Sequence, residues 1–220
     1  MANQQLRPSS IANSAKEAAV IIFSILVAFS LDAWWEDVQV EREVDDILGA
    51  IEVEMSGNLA ALRSSVDHHK AISAAIRTLR DTSSAGNMDL GAVPQAVIEV
   101  EVFEPDTGAM DTMVATGLLN EVDDASLRLL LGAYAARLLD LNEQEIRAVE
   151  FRDAARRRLA SLGFPLWNTE IRESRRQLEG DTEMLNLLSM RLSEEENAIE
   201  SAQALTAHIQ KILTRLEETT

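Results

Sequence analysis

The sequence predicts an all-α protein: an N-terminal transmembrane helix continuous with a long helix, then an elongated antiparallel bundle of about three main helices, with an irregular segment at 83–123. Three observations carry this. Residues 18–31 form a long apolar run. Elsewhere apolar residues recur at steps of three and four rather than two, the helical period. Aromatic residues are only 4% of the chain, so the core is aliphatic, which favours helix packed on helix.

Three regions follow in order: an N-terminal tail (1–15), a transmembrane helix (16–35) and an extramembrane helical-bundle domain (36–220). The run Ala18–Leu31 is closed by Asp32-Ala33-Trp34-Trp35. At about 1.5 Å per residue, Ala18 to Trp35 reaches roughly 27 Å, just under a hydrocarbon core of about 30 Å. Trp34 and Trp35 suit the aromatic belt of a membrane interface, and Asp32, one turn from the end, reaches the headgroups. A cleaved leader and the core helix of a soluble protein are the competing readings of so short a run. A retained span is preferred because Glu17 abuts the run and the tryptophans lead straight into a helical pattern.

Basic residues set the direction. Arg7 and Lys16 precede the run, whereas Glu36, Asp37, Glu41, Glu43, Asp45, Asp46, Glu52 and Glu54 follow it against Arg42 alone. Lysine and arginine stay on the cytoplasmic side. The expected location is a bacterial inner membrane, single-pass, with a cytoplasmic N-terminus and a periplasmic C-terminal domain.

From Val38 to Leu79 a stripe of Val44, Ile47, Ile51, Met55, Leu62, Val66, Ile72, Ile76 and Leu79 predicts one helix, ending in the polar run 81–87. Val97–Phe103 alternates weakly and fits a short strand or a helical turn. Ala109–Thr116 reads as a short helix closed by Gly117. Asp123 and Asp124 are N-cap candidates for a helix over 126–162, stopped by Gly163 and Pro165. Its expected buried stripe runs through Leu127, Leu131, Tyr134, Leu138, Leu141, Val149, Ala155, Leu159 and Leu162. Asn168 caps a segment reaching Gly180, and Asp181 caps a last helix to about Glu217. That helix carries Leu185, Leu188, Leu192, Ile199, Ala202, Thr206, Ile209, Leu213 and Leu216 at coiled-coil spacing.

Two groups of motifs together resemble an uncharacterised bacterial single-span membrane protein family, a domain of unknown function with an apolar N-terminal segment ending in Trp and then a long acidic helix. The first group is Glu17, Ala18–Leu31 and Trp34-Trp35-Glu36. The second is Phe103-Glu104-Pro105, Thr116-Gly117-Leu118-Leu119 and Ser126-Leu127-Arg128-Leu129-Leu130-Leu131. The resemblance spans roughly 17–60 and 100–135. It implies membrane attachment and helical architecture, and supplies no catalytic residue.

The chemistry-bearing residues form no recognised site. The chain has no cysteine, which excludes disulfides and thiolate metal sites. Its formal net charge of −17 argues against nucleic acid, since phosphate binding needs a basic face. None of His68, His69 and His208 follows a Glu by three residues, so the Glu-x-x-His signature of di-iron bundles is missing. His68 and His69 point about 100° apart on a helix and read as a surface pair rather than a metal site. Asp45-Asp46, Asp123-Asp124 and Glu194-Glu195-Glu196 read as solvated faces and caps. No cofactor, metal or catalytic residue is expected.

One feature inverts the charge. Arg147, Arg152, Arg156, Arg157, Arg158, Arg172, Arg175 and Arg176 face four acids over 147–176 and flank the apolar corner Phe164-Pro165-Leu166-Trp167. If helix 126–162 packs antiparallel to the first helix, it returns about 55 Å toward the bilayer. Phe164, Leu166 and Trp167, with Arg156, Arg157 and Arg158, are then candidates for docking at the membrane-proximal end. The expected function is a non-enzymatic accessory or scaffold subunit of an envelope complex. Its expected partners are the lipid bilayer and other membrane subunits, or itself by self-association. A periplasmic helical-bundle sensor or ligand-binding domain is the alternative.

Overall fold

The computed structural model describes residues 8–84, 92–163 and 181–219. Among them are four α-helices and no strand: α1 (Pro8–Ser84), α2 (Gly108–Thr116), α3 (Ala125–Ser161) and α4 (Thr182–Thr219). A π-helical turn, Pro94–Ile98, and a 3-10 turn, Leu118–Glu121, lie between α1 and α3. The all-α class is therefore observed, and the weakly alternating stretch after Pro94 is a helical turn followed by irregular chain. Packing divides the chain into two units, residues 1–47 and Leu48–Thr220.

In the first unit, α1 carries the apolar run with its large side chains in the open; Phe23 is 69% exposed. None of the most apolar window of this helix is buried, so it is one candidate membrane-spanning helix. Its two hydroxyls are satisfied along the helix: Ser24 Oγ donates to the Val20 carbonyl and Ser30 Oγ to that of Leu26, each at 2.8 Å. That arrangement removes the cost of an unpaired donor in an apolar medium. Trp34 and Trp35 are exposed, and the Arg42 guanidinium lies 6.0 Å from the Trp35 ring centroid.

In the second unit, α3 and α4 pair antiparallel. Arg158 near the end of α3 meets Asp181 and Glu183 at the start of α4, while Arg215 near the end of α4 meets Asp124 at the start of α3. Local chemistry fixes the ends. The Asp124 carboxylate caps α3 by accepting from Ser126 N at 2.8 Å and Leu127 N at 3.3 Å, as expected for an N-cap aspartate. Asp181 caps α4 through Met184 N at 2.7 Å. Gly117 and Gly163 close α2 and α3 at φ 82° and 73°, left-handed conformations that glycine adopts without Cβ strain.

The direction of α3 departs from expectation. Asn58 on α1 bonds Tyr134 on α3, and eleven residues further along each helix His69 meets Glu145. Within this unit α1 and α3 therefore run parallel, and the return is made by residues 92–121. Ala96 and Val97 pack with Ile72–Leu79, whereas Ala109 reaches Glu54. Ile72, Ile76 and Leu79 of α1 share one apolar cluster with Ala155 and Leu159 of α3 and Met184, Leu188 and Leu192 of α4. Arg156, Arg157 and Arg158 accordingly lie at the end of the bundle remote from Leu48. The antiparallel return expected of helix 126–162 along the first helix is corrected: a connector long enough to span the bundle brings the next helix back in the starting direction.

Candidate functional site

Between its π-helical turn and α2 the connector is irregular, and side chains from the three long helices bond its backbone. Starting from the α2 end, the Glu54 carboxylate accepts from Ala109 N at 2.6 Å and from Met110 N, holding the N-terminus of α2. Burial raises the Glu54 pKa, and the two amide donors and the helix dipole pull the other way. One turn on, Asn58 does three jobs. Its Nδ2 donates to the Asp106 carbonyl at 2.6 Å and to Tyr134 Oη at 3.0 Å, while its Oδ1 accepts from Asp106 N at 2.9 Å. Burial pushes the Tyr134 hydroxyl up to about 12, which keeps it a neutral partner.

Higher in the bundle lies a charge network buried on every side. His69 is fully buried, its Nδ1 2.6 Å from Glu195 Oε2 and its Nε2 3.2 Å from Glu145 Oε1. Glu145 uses both oxygens, each 3.1 Å from Phe103 N. Glu195 Oε1 in turn receives Arg191 Nε at 3.1 Å. The remaining Arg191 nitrogens reach the connector, donating to the Ala96 and Glu99 carbonyls at 2.6 and 2.7 Å.

Two carboxylates and two cations balance here, which is the condition for carrying ionised groups in a core. Burial works against a charged His69 ring, but Glu145 and Glu195 outweigh it and hold its pKa up at about 9. At neutral pH both ring nitrogens therefore carry protons and donate. Burial lowers the Arg191 pKa, with Glu195 opposing it. His208 is a separate case: its Nε2 meets the Leu130 carbonyl at 2.8 Å and burial lowers its pKa.

This arrangement corrects two expectations. The His68–His69 pair is split by its helix: the His68 side chain is 60% exposed and His69 is buried. Glu195, expected on a solvated face, is buried, and its neighbours Glu194 and Glu196 face outward to Arg147 and Arg77. The carboxylates grip opposite edges of the imidazole, and among the described residues no group of three or more His, Cys, Asp or Glu converges as a metal site would. What the network does chemically is fasten: α1, α3 and α4 are bonded to one another and to the backbone of residues 96–103.

The candidate residues from sequence fall into three sets. Asp32, Trp34 and Trp35 sit exposed on α1. Arg158 clamps the α3–α4 junction, with Nη2 2.6 Å from Asp181 Oδ2 and Nη1 3.0 Å from Glu183, and that arginine holds the Asp181 pKa low. Arg156 pairs loosely with Asp153 at 3.9 Å, and Arg157 is exposed. Phe164, Leu166 and Trp167 lie outside the described residues. Comparison with family models, curated proteins and solved structures finds no match.

Proposed function

We propose that the protein is a non-enzymatic, single-pass membrane protein whose helical domain serves as an accessory or scaffold subunit of a membrane complex. The carrying observation is the apolar segment of α1, where Val20, Phe23, Phe29 and Leu31 are exposed together. A patch of that size on a soluble chain would aggregate, whereas a bilayer covers it. The charge asymmetry around the run supports a cytoplasmic N-terminus and a periplasmic domain in a bacterial inner membrane. The resemblance carried by Trp34-Trp35-Glu36 and Phe103-Glu104-Pro105 supports the same family reading. The buried network supports a structural role for the domain, because Asn58, His69, Glu145, Arg191 and Glu195 are all used in holding helices and connector together.

Two measurements test this. Alkaline carbonate should leave the protein in the membrane pellet, and protease added outside spheroplasts should digest the domain while sparing the tail; extraction into the supernatant rejects the anchor. Purification in mild detergent should then yield a defined complex. A lone monomer that binds a small molecule would favour the sensor reading instead.

A further inference from the structure

Helix α3 carries two apolar seams. The inner one, through Leu127, Leu131, Tyr134 and Leu141, is buried. The second lies on the open face: Leu129, Gly132, Ala136, Leu139 and Ile146 recur at alternating steps of three and four, interrupted by Glu143. Leu129, Leu139 and Ile146 are 76%, 56% and 47% exposed. A surface helix needs no such seam for its own fold, and this spacing is that of a knobs-into-holes contact. A Cβ built on Gly132 meets nothing within 4 Å, so a partner backbone can approach closely there.

Beside the seam a cavity of about 360 Å³ opens between α3 and the connector, walled chiefly by Phe103, Pro105, Leu138 and Leu139. Its volume takes one or two large apolar side chains. The connector wall is fixed, because Glu145 pins Phe103 N and Asn58 pins Asp106. The groove is thus largely preformed, which lowers the ordering cost of binding.

Charge selects the occupant. Exposed Glu104 and Asp106 stand on the connector side, Asp140 and Glu143 on the helix side, against Arg137, an Arg128 tied to the Asn120 carbonyl and an Arg147 already shared by Glu143 and Glu194. A second copy of a chain of net charge −17 brings more acid to an acidic rim. We infer that the outer seam of α3 and the adjoining Phe103–Leu139 groove form a docking site for an amphipathic helix of another protein, apolar on one face and flanked by lysine or arginine. This rests on the reading of the domain as an interaction module, although the two can fail separately.

The test uses the full chain in detergent and a labelled Leu/Lys amphipathic helix about three heptads long. The peptide is titrated against wild type, Leu139→Asp and, as control, Val114→Asp, which alters another exposed apolar position. Leu139→Asp adds an attractive charge while deleting the apolar anchor, so docking and mere charge attraction predict opposite results. Docking predicts about tenfold weaker binding for Leu139→Asp, the loss expected for one buried aliphatic group, and unchanged binding for Val114→Asp. Equal or tighter binding by Leu139→Asp overturns the proposal, as does a wild-type dimer in light scattering that Leu139→Asp dissociates. A membrane complex that purifies intact with Leu139→Asp also overturns the docking site while leaving the scaffold reading standing. Both substitutions are at exposed positions, and circular dichroism verifies that the variants are folded.

Discussion

Raising the pH should loosen the bundle at a single histidine. His69 has a pKa of about 9 in the folded protein against an ordinary 6.5. In the unfolded chain the ring loses its proton near 6.5, so between 6.5 and 9 the folded state binds more protons and stability falls as pH rises. The interval corresponds to about 3 kcal/mol, fully present below pH 6.5 and gone above pH 9. The assay is urea denaturation of the full chain in detergent, followed by far-ultraviolet dichroism across pH 6 to 9.5. The wild-type midpoint should drop steadily over that window, and His69→Gln should start lower and lose most of the slope. A midpoint that stays level or rises, or a His69→Gln variant with the wild-type slope, would refute the placement of a protonated ring between Glu145 and Glu195.

Three further outcomes follow from the same geometry. Glu145→Leu removes the acceptor of both His69 Nε2 and Phe103 N and should cost about 3–5 kcal/mol, the usual penalty for stranding a buried charge; equilibrium denaturation reads it, and hydrogen exchange should speed up at residues 96–106. Asn58→Ala strands the Asp106 backbone and the Tyr134 hydroxyl, with an expected loss of about 2–3 kcal/mol and a matching drop in thermal midpoint. Asp181→Ala deletes the cap of α4 together with the Arg158 clamp and should cost about 1–2 kcal/mol. Arg158→Ala should cost less than Asp181→Ala in the same thermal melts, because it leaves the cap in place.

The helices were legible in the chain and the network was not. Periodicity and punctuation placed α2, α3, α4 and the end of α1 within a few residues, since Asp124, Asp181, Gly117 and Gly163 act locally through their own backbone, whereas α1 starts at Pro8, inside the stretch 1–15 expected as a tail. The faces were less secure. Of the expected α4 stripe, Leu188, Leu192, Ala202, Ile209 and Leu216 are buried and Leu185, Ile199, Thr206 and Leu213 are half-buried, while Met184, Arg191, Glu195 and Ala198 share the core face. Reading charged residues as solvent-facing left Arg191 and Glu195 out of that inner face. The signal was a set of gaps. The apolar stripes skip from Val66 to Ile72, from Leu141 to Val149 and from Leu192 to Ile199, and His69, Glu145 and Glu195 stand in those three gaps. One helix alone makes such a gap look like an imperfection. Only the alignment of three helices turns it into a buried polar layer, and that alignment depends on a connector whose path no periodicity encodes.

The parallel course of α1 and α3 bears on how the molecule is made. His69 lies 126 residues before Glu195, so at about 5–20 residues per second a ribosome needs roughly 6–25 s to supply its partner. During that time Glu54 and Asn58 find their partners in residues 106–134 and His69 finds Glu145, but the face of the first helix that packs on the last one, with the Glu195 edge of His69, stays open. The antiparallel pair α3–α4 is the short-range element, and the oldest part of the chain is the last to be enclosed. A nascent chain halted before residue 191 should therefore expose the inner face of α1 to proteases and chaperones, which makes translation of the final helix the committing event in biogenesis.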